Sequence, residues 1–433
     1  MTLWLKPIID STLDGLTKGI PAQADLALGE VGEQGWRLLQ GDIPLPAAVL
    51  LRSAIDHNIA WMRAFTEMTG IRLCPHGKTS MSPQLFDLQL RAGAWGITAA
   101  TVSHLHVYRR FGVQRILLAN QLIDPGGIRF VLSELDRDPS FDFYCLVDSI
   151  ESVRILENSI AEHGCSRPLQ VLLEVGQQAG RTGARSVDDA IAVAQAVNAA
   201  SPALALRGIE GFEGVLEGAS AETTLARIDR LFADMLAVAQ ICDRKGLFAE
   251  MDDGIILSAG GSQYFDLPLK LRSFESLSQR SSFVLRSGCY VTHDSSWFRD
   301  YAEAIAIRMP EINQLGPGLR PAIEVWAHVQ SLPEPGLAIV AMGKRDCSFD
   351  VHMPTPIKWC KASSDVPQTL SGHHVAKLND HHCYLDLPEN SPLSVGDKVG
   401  FGIAHPCTTF DRWEVMLTVD DTYAINGAVK TFF

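Results

Sequence analysis

No stretch of this chain is both free of charge and long enough to span a bilayer, so no transmembrane helix is expected. An excess of positive charge is missing too. Lys and Arg total 37 against 50 Asp and Glu, a net charge of −13, which argues against nucleic acid or an anionic membrane surface as a partner. The nine cysteines are scattered and odd in number, which excludes a disulfide framework and makes the cytoplasm the expected compartment. The opening residues Met1-Thr-Leu-Trp-Leu-Lys6 soon meet Asp10 and Asp14, without the basic and apolar regions of a signal peptide. Internal repeats and low-complexity segments are likewise lacking. What is present is an ordinary globular composition, 46% hydrophobic and 20% charged over 433 residues, enough for a large core and two domains. Any anionic ligand must be held by local groups rather than by the overall field.

The middle of the chain alternates short apolar runs with longer amphipathic ones. Strands are predicted at 71–73, 96–99, 115–119, 141–147, 169–175, 206–211, 254–257 and 282–286. Between them lie helix-like stretches such as 83–92, 102–111, 149–163, 187–199 and 221–244, with apolar residues at three- and four-residue spacing, as in Ile150, Val153, Ile155, Leu156 and Ile160. Eight βα units in succession predict an α/β fold, a (β/α)8 TIM-type barrel, in which chemistry gathers where strands end. Those ends include Lys78, Asn120, Asp148, the Arg181 turn, Glu213, the Gly260 turn and Tyr290. After about residue 300, β-rich runs separated by turn signals, such as 322–329, 337–341 and 413–419, predict a C-terminal antiparallel β domain. The expected division is an N-terminal segment of residues 1–45 that can join the β domain, a barrel of 46–299 and a β-rich domain of 300–433.

Four sequence features bear on chemistry. Cys74-Pro-His-Gly-Lys-Thr-Ser80 places Lys78 between a short strand and a helix marked by Ser82 and Pro83. An amine on such a rigid, partly desolvated platform readily attacks an aldehyde such as pyridoxal phosphate, although a solvated loop lysine has the same spacing. Leu257-Ser-Ala-Gly-Gly-Ser262 follows a strand with paired glycines and a hydroxyl, a pattern that seats a phosphate or simply turns the chain. Arg181 stands in the glycine-bordered run Gly176 to Gly183, where a guanidinium suits a phenolate or carboxylate, or merely decorates a surface loop. His405 and Cys407 fall two apart in a β-rich region, so that on an extended strand both face one side and suit zinc; a packed histidine and an inert thiol fit equally. The nearby Asp380-His-His-Cys383 is a further candidate for a ligand or a supporting group.

Taken in order, Pro75-His-Gly-Lys-Thr79, Arg181-Thr-Gly183, Gly260-Gly-Ser262, Arg286-Ser-Gly-Cys-Tyr290 and His405-Pro-Cys407 resemble the fold-type III pyridoxal-phosphate enzymes. The likeness is to the alanine racemase-like branch that contains D-serine dehydratase and D-threonine aldolase, and it runs from about residue 45 to the end. It implies that Lys78 holds the cofactor covalently, that Gly260, Gly261 and Ser262 bind its phosphate, that Arg181 lies near its phenolic oxygen and that Tyr290 sits at the phosphate side. It also implies a zinc ion on His405 and Cys407. Two departures stand out: Ser80-Met81 follow the lysine where relatives often have a basic residue or histidine, and Glu210-Gly-Phe-Glu-Gly214 lacks the histidine or tyrosine common at that level.

The resemblance further implies a homodimeric enzyme acting on a small D-amino acid. A histidine and cysteine at the metal positions point within this branch to loss of water from a D-3-hydroxy amino acid such as D-serine, giving a 2-oxo acid and ammonia. Lys78 would take the Cα proton while zinc acts on the β-hydroxyl. The rival readings are an aldolase that releases glycine and an aldehyde, and a non-catalytic pyridoxal-phosphate-handling protein.

Overall fold

The computed structural model describes residues 2–250, 254–273, 277–278 and 280–433. Eight parallel strands follow in chain order: Arg72–Leu73, Ile97–Ala99, Arg115–Gln121, Asp142–Val147, Leu169–Val175, Leu204–Gly211, Ile255–Ala259 and Ser281–Leu285. The last pairs with the first, Val284 opposite Arg72 and Leu285 opposite Leu73. Between first and second, the ring closes through the His76–Thr98 bridge and through bonds from Trp95 N to Leu73 O, 2.7 Å, and from Thr98 N to Pro75 O, 2.8 Å. A sheet that returns to its own first strand is a barrel. Every strand lies within two residues of its predicted ends, because strands buried on both faces read as continuous apolar runs.

The barrel interior is filled by side chains of one parity along each strand. Leu117 and Ala119, Tyr144 and Leu146, Leu172, Ile256 and Val284 form one buried cluster with Cys74, and Trp95 packs against it. Helices Val102–Arg110, Pro125–Arg137, Ile150–His163, Val187–Ala199 and Ala221–Arg244 link successive strands. Each begins on a side-chain oxygen: Thr101, Asp124, Ser149, Ser186 and Ser220 accept a hydrogen bond from the backbone N–H three residues on. The helix Pro125–Arg137 was not among the predicted ones. Gly126 and Gly127 weaken its start, but Asp124 caps it and Ile128, Val131, Leu132 and Leu135 bury at helical spacing.

The barrel strands belong to a compact unit of Phe65–Lys78 and Gly93–Gly288. A second unit comprises Met1–Ala64, Thr79–Ala92 and Cys289–Phe433, so the two interleave along the chain. In this second unit a helix, Trp297–Arg308, still crosses residue 300, and after it the antiparallel strands resume at Ile323. The long strand Ile323–Glu334 pairs with Lys398–Gly402, Leu337–Val340 and Ala47–Leu51. Glu324 on that strand is buried and fully answered: Lys358 Nζ donates to it at 2.7 Å, and Tyr423 Oη and Trp326 Nε1 each at 2.8 Å. A buried carboxylate so partnered avoids the several kcal/mol that an isolated one would cost.

Candidate active-site residues

In the barrel unit, Lys78 sits in the tight turn Gly77–Thr79 that follows the first strand, and its side chain is exposed. Gly77 is required there because a Cβ would run into the Tyr108 hydroxyl. Two imidazoles flank the lysine. Burial, then the charge of Lys78, holds His104 down at about 4, and the same two causes, with Arg286 and Arg181, hold His76 well below its ordinary value. Both rings are therefore neutral near pH 7.

The eighth strand delivers Arg286, 2% exposed, into an ion pair with Glu210 from the end of the sixth strand. Arg286 Nη2 also donates to Gly211 O at 3.1 Å. Burial lowers the guanidinium to about 10, so it stays charged at neutral pH. Neither residue has an assigned role in the sequence reading, although Arg286 opens one of the quoted motifs.

The seventh strand ends in Gly260 and Gly261, whose backbone N–H groups converge on one anion. That anion is the carboxylate of Glu213: Gly260 N donates to Oε2 at 3.0 Å and Gly261 N to Oε1 at 2.6 Å. Burial pushes the Glu213 pKa up, opposed by those same N–H groups. Gly260 has φ +94, and a Cβ there would enter the Leu285 side chain and stand 3.1 Å from Pro268 Cγ. Gly261 has an ordinary φ, and a Cβ would meet the Phe212 ring edge at 3.1 Å and Glu213 Oε1 at 3.5 Å. Gly260→Ala should therefore cost about 1–3 kcal/mol of stability, with a smaller loss for Gly261→Ala. Thermal denaturation of the two variants checks the order.

Arg181 is exposed and lies over the Phe212 ring, 4.8 Å from its centroid. Its loop is laced by Arg185, whose guanidinium donates to the carbonyls of Gln177, Thr182, Gly180 and Arg181 at 2.8 to 3.2 Å. Thr182 Oγ1 and Gln121 Nε2 both bond Glu174, and Asp148 accepts from Gly183 N at 3.1 Å. Asn120, another predicted strand-end residue, donates to Ala100 O at 2.7 Å. Ser262 follows the paired glycines, half-buried.

These residues fit pyridoxal phosphate. A lysine stands at a strand end, two N–H groups already hold an anion where a phosphate would bind, and the buried His76 Nδ1 and Arg286 Nε have no hydrogen-bond partner.

The second unit gathers the other chemistry. His405 and Cys407 do not lie on a strand as expected: the strand stops at Gly402, and Pro406 turns the chain into the short helix Cys407–Phe410. They are close nonetheless, because that turn replaces strand alternation in bringing i and i+2 together. Cys407 Sγ is 3.7 Å from Cys289 Sγ and 3.6 Å from Thr79 Oγ1, which itself lies 3.8 Å from Cys289 Sγ. His405 Nδ1 lies 2.6 Å from Asp350 Oδ2, whose other oxygen accepts from Thr408 Oγ1 at 2.8 Å. The hydrogen bond with Cys289 draws the Cys407 thiol well below its ordinary value; burial opposes this and His405 adds to it. Against the pull of burial, Cys407 and Asp350 raise His405 to about 9.

The Asp380–Cys383 stretch is instead a hairpin tip with exposed histidines, and the carboxylate that meets His405 is Asp350. Tyr290 is buried in the turn Cys289–Val291, with its hydroxyl bonded to Gln89. The donor set of a thiol inclined to ionise beside an imidazole suits zinc. As placed, no three His, Cys, Asp or Glu side chains among the described residues form a ready metal site.

A closed parallel barrel and an antiparallel β unit are also the fold of the solved alanine racemase from Bacillus anthracis, which superposes with a TM-score of 0.55 at 14% identity, over 89% of this chain and 97% of its own. Residues 322–419, which include Asp350, His405 and Cys407, match the family model described as a putative serine dehydratase domain. The 3-hydroxy-D-aspartate aldolase of Paracoccus denitrificans (strain Pd 1222) is 25% identical over 349 residues, covering 79% of this chain and 84% of its own. The D-threo-3-hydroxyaspartate dehydratase of Delftia sp. (strain HT23) is 29% identical over 149 residues, 34% of this chain and 38% of that one. Among solved structures, D-threonine aldolase from Filomicrobium marinum superposes with a TM-score of 0.72 at 22% identity, over 92% of this chain and 97% of its own. The resemblance carried by the motifs is thereby borne out as a similarity: the relatives that this chain matches are named as lyases of D-3-hydroxy amino acids. Among the described residues no helix is long and apolar enough to cross a membrane.

Proposed function

We propose that the chain is a pyridoxal-phosphate- and zinc-dependent lyase that removes water from a D-3-hydroxy amino acid, with D-serine as the reference substrate and pyruvate and ammonia as its products. The observation that carries the choice of dehydration is the His405–Cys407 pair, a nitrogen and a sulfur donor within the stretch that matches the putative serine dehydratase domain. Lys78 holds the cofactor, Gly260, Gly261 and Ser262 receive its phosphate, Arg181 stands by its phenolic oxygen and Tyr290 at the phosphate side. When bound, pyridoxal phosphate supplies an electron sink for charge developing at Cα, and zinc supplies a Lewis acid for the β-hydroxyl.

The protein's own groups do the rest. Lys78 would take the Cα proton at Nζ; the neutral His76 and His104 beside it do not compete as acids. Asp350 accepts the proton side of His405 Nδ1, which fixes the tautomer that leaves Nε2 to coordinate. Within the second unit, Thr79 Oγ1 lies 3.8 Å from Cys289 Sγ and 3.6 Å from Cys407 Sγ. The phosphate must take over the two N–H groups now held by Glu213. Glu213→Gln, which removes the competing charge, should tighten cofactor binding by on the order of tenfold in an absorbance titration. Unchanged affinity would place the phosphate elsewhere.

A cytoplasmic homodimer is part of the same proposal. The deciding experiment is incubation of the purified protein with D-serine, D-threonine and D-3-hydroxyaspartate, with ammonia and glycine assayed separately. Ammonia with a 2-oxo acid supports dehydration; glycine with an aldehyde replaces it by the aldolase reaction that two of the relatives are named for.

A further inference from the structure

Cys289 was quoted in a motif but given no role, and its sulfur stands 3.7 Å from that of Cys407. Zinc bound tetrahedrally by two thiolates, each about 2.3 Å away, holds the sulfurs roughly 3.8 Å apart. A disulfide would bring them to about 2.05 Å. The observed spacing fits the edge of such a tetrahedron, and the backbone brings the two segments together. Cys289 opens a short turn whose carbonyl accepts from His293 N at 2.7 Å, and Cys407 opens a helical turn. Ser295 N bonds Ile403 O at 2.9 Å and so links the two segments just beyond the sulfurs. The Thr79 hydroxyl lies within 3.8 Å of both sulfurs, placed to donate to a thiolate from outside the coordination sphere.

We propose that Cys289 is a third protein ligand, so that the metal is held by Cys289, Cys407 and His405 with one position left open. This deepens the metal assignment made above and rests on it. The His405 ring, held by Asp350 at Nδ1, would complete the set through Nε2. A metal with two thiolates and an imidazole is retained more strongly, and is a softer Lewis acid, than one with two protein ligands. The open position is sufficient for the oxygen of a β-hydroxyl.

The test uses the full-length protein under reducing conditions. Zinc content and affinity are measured by competition with a chromophoric chelator, and the thiolate-to-cobalt absorption is recorded after Co²⁺ replacement, for the parent, Cys289→Ser and Cys407→Ser. Circular dichroism confirms that each variant is folded, and Cys289→Asp, which restores an anionic ligand, provides a rescue. Cys289→Ser should weaken zinc by more than about 100-fold, beyond the 10–100-fold typical of a supporting residue, and should halve the thiolate-to-cobalt band. If Cys407→Ser abolishes binding while Cys289→Ser leaves both the affinity and the band unchanged, Cys289 is only a packing neighbour and the two-ligand site stands. Failure of the parent to bind zinc at all would overturn the metal assignment itself.

Discussion

Lys78→Ala is expected to give a folded protein that no longer retains cofactor colour after borohydride treatment and dialysis. Its side chain is exposed, so the substitution removes little packing and should change stability by no more than about 0.5 kcal/mol. The chemistry is affected far more. In the proposed reaction the amine is both the point of covalent attachment and the base for the Cα proton, and loss of a positioned base alone costs about 10²–10⁴-fold in rate. Its two flanking imidazoles cannot replace it in attachment. His104 shares the lysine's surroundings as a neutral ring, so some slow proton transfer can survive while the covalent link does not. The measurement is paired: absorbance and peptide mass after borohydride report attachment, and ammonia release from D-serine reports turnover. A variant that turned over at the parent rate would sink the assignment of Lys78 and with it the placement of the cofactor.

The barrel was legible because its code is local. Runs such as Leu169–Val175 are buried on both faces and carry a continuous apolar signal, and each of the five barrel helices starts on a capping Thr, Ser or Asp. What escaped was convergence between distant positions. Asp350 meets His405 across 55 residues and Cys289 meets Cys407 across 118, separations with no period to detect. The Arg286–Glu210 pair and the Glu213 carboxylate on Gly260 and Gly261 are of the same kind. The glycine pair was read as a phosphate seat or a plain turn, and sequence alone offered no way to see that its N–H groups hold a buried carboxylate of the same chain. His405 and Cys407 were paired for a reason that proved wrong in form, since Pro406 starts a helix where a strand was expected. Their proximity survives because the chain turns at Pro406, which stands between them.

Removing the metal should separate elimination from folding. With at most three protein ligands in prospect the site keeps a position for the substrate oxygen, and the β unit has a sheet of its own to hold it together, with Glu324, Lys358 and Tyr423 satisfied in its interior. Treatment with a chelator should therefore leave the circular dichroism spectrum, the melting temperature and the cofactor colour close to those of the untreated protein, while ammonia release from D-serine falls. A Lewis acid on the departing oxygen is worth several kcal/mol, so the expected loss is on the order of 10³-fold, and added Zn²⁺ should restore it. Cys407→Ala should reproduce the chelated state without recovery on adding zinc, and D-serine should still perturb the cofactor's absorption, since amine exchange at Lys78 needs no metal. Two results would count against this account. Deamination by metal-free protein at the parent rate would remove zinc from the reaction, and unfolding on chelation would make the metal a structural clamp.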